Sequence, residues 1–184
     1  MRAIDQALAA PGSIGKAPSG VEIKLQNAKG QEPGLDEPGE ILIKAPNLAN
    51  RYWPDKALID ADGFWASGDV ASLDADGVYW FRDRLKNVII SGGENIYPAE
   101  IERVLRAVSG INDCCVVGVP SQRWGQTPVA VIEGDARPLA PIQQQLKDAL
   151  ARFKHPSRIT FVDALPRNAM GKVVREDVRA LVLE

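Results

Sequence analysis

The feature that most constrains the fold of this chain is a change of pattern near Asp83-Arg84-Leu85-Lys86-Asn87. Before it, strand and turn signals alternate with no convincing helix. Val21-Glu22-Ile23-Lys24-Leu25 alternates apolar and polar, as a half-buried strand must. Asn27-Ala28-Lys29-Gly30, Pro33-Gly34 and Pro38-Gly39 are turn signals, and Glu40-Ile41-Leu42-Ile43-Lys44 is a second strand. Phe64-Trp65-Ala66-Ser67 leads into residues 68–73, Asp74-Ala75-Asp76-Gly77 turns, and Val78-Tyr79-Trp80-Phe81 returns. Several short strands at close spacing predict a small, strongly bent sheet or barrel.

After the change, strands and helices interleave. Val88-Ile89-Ile90 is a short strand and Ser91-Gly92-Gly93-Glu94-Asn95 a glycine loop. Pro98 opens a helix carrying Ile101, Val104, Leu105 and Val108 at helical spacing. Residues 113–120 and 129–133 are strands. Residues 141–153 form a second helix with Ile142, Leu146, Ala149, Leu150 and Phe153 on one face. Residues 158–162 are a last strand, and residues 175–183 a terminal helix. The fold class is therefore α+β: a small β-rich segment over residues 1–83, then a mixed α+β domain over residues 84–184. Residues 1–10 fit a short helix or a frayed end.

Composition removes several classes of function. With 45% apolar and 25% charged residues the chain can bury an ordinary core. A net charge of -2 gives no basic field for nucleic acid or anionic membrane. No apolar run approaches the ~20 residues that span a bilayer, and no stretch after Met1 reads as a signal-peptide core; the sequence is read as cytoplasmic. Cys114 and Cys115 are neighbours in a strand, so they point to opposite faces and are expected as buried free thiols.

Three stretches in order carry the chemistry. They are Trp65-Ala66-Ser67-Gly68-Asp69, the run from Asp83 to Glu102, and Leu165-Pro166-Arg167-Asn168-Ala169-Met170-Gly171-Lys172. Each alone is weak. Gly68-Asp69 fits a capped turn, Gly92-Gly93 fits a tight turn or a place where a ligand comes close, and Gly171-Lys172 fits a surface loop. Together, from Pro11-Gly12-Ser13 onward, they closely resemble the adenylate-forming superfamily of AMP-binding acyl-CoA synthetases, peptide-synthetase adenylation domains and beetle luciferases. Residues 93–102 are nearer to the acyl-CoA ligases.

The resemblance implies a ligase that joins a small-molecule carboxylic acid to CoA in two steps, with ATP and CoA as substrates. Asp69 falls on the aspartate that accepts from the AMP ribose hydroxyls, and Arg84 on an arginine that also contacts ribose. Lys86 falls on the hinge about which the C-terminal domain rotates. Lys172 falls on the catalytic lysine that meets the carboxylate and the α-phosphate, and is also implied as an acetylation target. Ser91, Gly92 and Gly93 match the loop along the pantetheine tunnel. Trp124 and Phe153 lie where some relatives hold the CoA nucleotide. Trp124 keeps a second reading as a packing residue, and His155 reads as a surface residue. Ser67, Asp83 and Asn87 depart from the family pattern. The phosphate loop, the acid pocket and the Mg²⁺ ligands are expected in an N-terminal domain outside this chain. The expected partner is that domain. A carrier-protein adenylation fragment and a non-enzymatic module pairing with a separate N-terminal half are the alternatives.

Overall fold

The computed structural model describes residues 10, 12–49, 51–54, 56–136 and 138–183. The segment expected as a helix or frayed end lies outside them except for Ala10, as does Pro11. The chain divides into two compact units, Met1–Lys86 and Asn87–Glu184.

The first unit is built from β1 (Glu22–Gln26), β2 (Gly39–Lys44), β3 (Arg51–Tyr52), β4 (Lys56–Ala57), β5 (Trp65–Leu73) and β6 (Tyr79–Arg84). Strands β1-β2-β5-β6 form one antiparallel sheet in that order, and β3 pairs with β4 in a second. Period-2 alternation gives the sheet its inner face: Leu25, Ile41, Ala71 and Tyr79 are buried together, flanked by Ile23, Ile43 and Leu73. The sheet is open among the described residues. β1 and β6 are its two ends, and β6 takes only an isolated bridge from Gly15 to Tyr79. Among the described residues a closed barrel does not form. Close strand spacing supplies the bends, but closure also needs the end strands to meet with a matching stagger.

The bends are bulges. Glu40 pairs with Val70 and Leu42 with Ala66, so Ser67, Gly68 and Asp69 stand opposite Ile41 alone. On the other side Val70 pairs with Asp83 and Ala71 with Phe81, leaving Arg82 as the extra residue of β6.

The second unit begins after a 3₁₀ turn, Leu85–Asn87, that spans the division. It comprises β7 (Ile89–Ser91), β8 (Glu94–Ile96), α1 (Pro98–Arg106), β9 (Asp113–Ser121), β10 (Gly125–Glu133), α2 (Leu139–Ala149), β11 (Arg158–Val162) and α3 (Arg175–Leu183). β10 is the spine. β9 runs antiparallel along its whole length. Its other edge is shared between β11, parallel at residues 129–133, and β7, which meets it at Gly125↔Ser91. The sheet is buried on both faces. Ile101, Val104 and Leu105 of α1 and Ile142 and Leu146 of α2 pack with Cys114, Val116, Ala130 and Ile132. Val178 and Val182 of α3, with Leu165, pack with Cys115, Val117, Val129 and Val131. The two cysteines thus separate onto opposite faces and are free and buried.

Three expectations change. The glycine loop is a hairpin: β7 returns as β8 through Gly92 (φ 60) and Gly93 (φ 89), the two positive values a type I′ turn demands. β10 begins at Gly125 rather than residue 129, because residues 125–128 continue the pairing with β9; Pro128 sits within the strand, without a donor of its own, and its carbonyl accepts from Ser157 N at 2.8 Å. α2 ends at Ala149. Leu150 is extended (φ -132, ψ 146) and buried, Ala149 is exposed, and Phe153 lies in a 3₁₀ turn, Arg152–Lys154, with 47% of its surface exposed. The apolar period continued past the point where the backbone left the helix.

Candidate functional site

Asp69 and Arg84 face each other across β5 and β6, in register, with Arg84 Nε 3.3 Å from Asp69 Oδ1. The bulge aims the aspartate. Its freed amides are taken locally: Gly68 N donates to Glu40 Oε1 at 3.1 Å, and Asp69 N to Ser67 Oγ at 3.1 Å. Next to the pair, Asp83 is buried and accepts from Arg84 N at 2.7 Å. An accessible carboxylate beside a guanidinium fork offers acceptors and donors to a vicinal diol. Glu40 was not singled out in the sequence, and Asp83 only as a departure from the family pattern. Bulge registry, which settles their place, leaves no periodic signal.

Lys86 is exposed in the 3₁₀ turn at the division between the units. Ser91, Gly92, Gly93 and Trp124 are brought together. Gly92 N donates to Trp124 O at 2.9 Å, and Ser91 pairs with Gly125. A Cβ on Gly92 would stand 2.9 Å from Trp124 Cε3, so the indole lies directly on the glycine. Arg123 covers the ring at 4.5 Å, yet Trp124 stays 47% exposed. Both readings of Trp124 therefore hold in part: it packs on the hairpin and still presents surface.

Phe153 is not buried by its surroundings, and its neighbours are engaged. Lys154 Nζ holds both carboxylate oxygens of Glu100, at 2.9 and 2.7 Å, and His155 Nε2 is 3.0 Å from Leu150 O. His155 is half-buried rather than a surface residue, closing the end of α2.

Lys172 sits on the loop between β11 and α3. The loop is a closed hairpin: Arg167 bridges Val173, Val174 N donates to Pro166 O at 2.9 Å, and Asn168 N to Lys172 O at 2.9 Å. Inside it Asn168 Oδ1 accepts from Met170 N and Lys172 N, both at 3.0 Å. Gly171 takes φ 78, a value disfavoured for residues with a Cβ. Lys172 itself is exposed, with Met170 beside it 75% exposed.

Beneath the loop lies an ion cluster that the sequence reading passed over. Arg167 Nη2 is 2.7 Å from Asp113 Oδ2 and 3.4 Å from Glu133 Oε2. Arg106 Nε is 3.2 Å from Asp113 Oδ1. Burial pushes the Asp113 carboxyl up, but hydrogen bonds from Arg167, Cys114 N and Arg106 outweigh it and hold it below its usual range. Glu102, buried on α1, meets Arg175 at 2.7 Å and Arg106 at 3.5 Å. Charges spread over α1, β9, β10, the lysine hairpin and α3 carry no common period, which is why the cluster was not legible.

Among the described residues no three His, Cys, Asp or Glu side chains gather as a metal site, so the residues present do not fit a Mg²⁺ ion. A hollow of about 640 Å³ lined by Gly20, Val21, Lys44, Pro46 and Gly63 contains none of the expected site residues. No helix among the described residues is long and apolar enough to cross a membrane.

The sheet with helices on both faces and the lysine hairpin define the class. Residues 100–172 match the family model of the AMP-binding enzyme C-terminal domain. Residues 100–172 thus belong to the AMP-binding enzyme C-terminal domain family, and the curated relatives that the chain matches are CoA ligases. The chain is 41% identical to indoleacetate–CoA ligase of Aromatoleum aromaticum over 93% of this chain and 35% of that protein. It is 42% identical to 2-succinylbenzoate–CoA ligase of Enterococcus faecalis over 89% of this chain and 34% of that one. Among solved structures, o-succinylbenzoate CoA synthetase of Bacillus subtilis in complex with its acyl-adenylate intermediate matches with a TM-score of 0.86 and 33% identity, over 95% of this chain and 37% of that one. The chain thus spans about a third of the length of the relatives it matches.

Proposed function

We propose that this chain is the C-terminal part of an AMP-forming acid–CoA ligase. A carboxylate oxygen attacks the α-phosphorus of ATP, pyrophosphate leaves, and an acyl-adenylate forms. The CoA thiol then attacks the acyl carbonyl, losing its proton, and AMP leaves. The observation that carries this reading is the exposed Lys172 on an ordered hairpin, in a chain whose curated relatives are CoA ligases. Negative charge builds on the phosphate oxygens during adenylation, and an ammonium there stabilises it by ~3–4 kcal/mol. Asp69 and Arg84 would hold the AMP ribose. Gly92 and Gly93 would line the pantetheine path, Gly93 with nothing within 4 Å of where a Cβ would stand, with Trp124 and Phe153 towards the CoA nucleotide.

Residues 1–83 would close the AMP-binding domain and residues 84–184 form the mobile domain, with Lys86 as the hinge. The division of the chain between Lys86 and Asn87 supports this. The partner is the N-terminal domain, which would bring the phosphate loop, the acid pocket and Mg²⁺, and without it the chain would not turn over. The relatives' names span indoleacetate, 2-succinylbenzoate and long-chain fatty acids, so the substrate class is a carboxylic acid with its pocket in that domain.

In the full enzyme, Lys172→Ala would cut adenylation, read as pyrophosphate release, by about 10²–10³-fold. It would spare thioester formation from supplied acyl-adenylate. Equal loss in both half-reactions would overturn the role. Robust pyrophosphate release by the isolated chain would overturn its inactivity.

A further inference from the structure

We propose that Arg167 is a positioning residue that sets the pose of Lys172, by pinning the peptide that precedes it to the end of the β9–β10 ladder. The inference rests on the reading of Lys172 given above.

Two facts about the ladder end demand a cation. Asp113 and Glu133 stand directly opposite each other as the last pair of β9 and β10. Like charges at opposed positions destabilise a sheet. Arg167 bridges them, at 2.7 Å to Asp113 Oδ2 and 3.4 Å to Glu133 Oε2, and Arg106 takes the other oxygen of Asp113 at 3.2 Å. Glu133 Oε2 also accepts from Leu165 N at 2.9 Å, fixing the start of the loop where Leu165 enters the core. One cation between two carboxylates would satisfy a purely structural need.

Arg167 does more than that. Its other terminal nitrogen, Nη1, donates to the carbonyl of Gly171 at 3.1 Å. That carbonyl and the N–H of Lys172 belong to one peptide plane. The N–H side is held by Asn168 Oδ1 at 3.0 Å. The plane is therefore gripped at both ends, its oxygen from the sheet through Arg167 and its N–H from within the hairpin. Gly171, at φ 78, supplies no stiffness of its own, since glycine crosses between positive and negative φ at little cost. The direction in which Cα of Lys172 launches its side chain thus follows from a rigid guanidinium fork seated on two strands. A lysine's compact ammonium cannot span both carboxylates and the carbonyl. Catalytic groups displaced by about 1 Å lose up to ~10²-fold in rate, so this grip has a measurable consequence.

The test uses Arg167→Ala and Arg167→Lys in the full enzyme, with Lys172→Ala alongside. The expected result is a fall of about 10- to 100-fold in kcat for adenylation, with KM for ATP and acid within about twofold and thioester formation from supplied acyl-adenylate retained. Arg167→Lys, which keeps one charge between the carboxylates, should hold the melting temperature yet still lose adenylation. Amide hydrogen exchange in the same proteins should speed up at Gly171 and Lys172 while β9 and β10 stay protected. Unchanged adenylation in both variants, or loss that tracks a fallen melting temperature in both half-reactions, would overturn the proposal. If Lys172→Ala proves harmless, the reading of Lys172 fails, and the exchange data alone decide whether Arg167 pins the loop.

Discussion

Glu102 Oε1 lies 2.7 Å from Arg175 Nη1, and the same oxygen accepts the backbone N–H of Val116 at 2.9 Å. Val116 lies on the edge of β9 that faces away from β10. Its carbonyl takes Arg175 Nη1 at 2.7 Å, and the carbonyl of Cys114 takes Arg106 Nη2 at 3.1 Å. The free edge of β9 is thus closed by charged side chains from α1 and α3 instead of by another strand, which removes a template for edge-to-edge association.

Glu102→Ala would remove the buried carboxylate that Arg175, Arg106 and the Val116 amide share. With Arg175 28% and Arg106 45% exposed, unfolding free energy should fall by ~1–3 kcal/mol, the cost of leaving a buried donor unsatisfied. Glu102→Gln, which keeps an acceptor for Val116, should lose less. Urea unfolding reads both, as a lowered midpoint with the slope unchanged. A loss below about 1 kcal/mol for Glu102→Ala would show that the edge does not depend on this carboxylate.

The Asp69–Arg84 pair makes the opposite prediction. Both side chains are substantially exposed, 37% and 63%, and such pairs contribute about 0–1 kcal/mol to stability. Asp69→Asn should therefore leave the melting temperature nearly unchanged. In the full enzyme it should weaken ATP and AMP binding by about 10-fold, in line with ~1.4 kcal/mol for a lost charge-assisted contact. Nucleotide titration by calorimetry checks it, and a large stability loss with intact binding would reverse the assignment.

These two pairs show what the sequence discloses. Asp69, Arg84 and Lys172 were singled out because residue type and order carry the motifs that contain them. That Asp69 and Arg84 meet depends on two bulges, which break the period that a sequence reading relies on. The core of the second unit was largely legible: Ile101, Val104, Leu105, Ile142 and Leu146 recur at helical spacing and are buried together. The opposed faces of Cys114 and Cys115 follow from alternation alone. Phe153 was misplaced because apolar spacing extrapolates a helix beyond Leu150, where the backbone turns extended. Glu102 was invisible for the reverse reason, since a charged residue between Ile101 and Arg103 looks like a solvated position until its partners arrive from Val116 and Arg175.

Gly92→Ala should disturb the hairpin in two ways. The residue keeps φ near 60, which costs a residue with a Cβ ~1–2 kcal/mol, and the new methyl must push aside the indole that now lies 2.9 Å from its position. Gly93→Ala, at φ 89 with nothing within 4 Å, carries the backbone strain without the collision. Tryptophan fluorescence should shift for Gly92→Ala more than for Gly93→Ala. If the bare face of the turn admits pantetheine, Gly93→Ala should raise KM for CoA and spare adenylation. Equal spectral shifts from both variants would mean that Trp124 does not rest on Gly92.

The two thiols give a pH-dependent prediction whose sign is fixed by burial. Burial pushes Cys114 up to about 12 and Cys115 up to about 11, from an ordinary value of 9.0, and the nearby Arg106 and Arg175 only partly offset it. Between pH 9 and about 11 the unfolded chain has released these protons while the folded chain still holds them. Stability therefore falls as pH rises through that window, because the unfolded state binds fewer protons. The thiols also titrate against other groups there, so the measurement is a difference: the protein against Cys114→Ala/Cys115→Ala, each unfolded in urea from pH 8 to 10.5. The parent should lose stability more steeply with pH than the double variant. At pH 8 an aromatic disulfide reagent should modify neither thiol until denaturant is added, since a buried neutral thiol is a poor nucleophile. Rapid native labelling, or parallel pH slopes for the two proteins, would place at least one cysteine outside the two cores that now hold them apart.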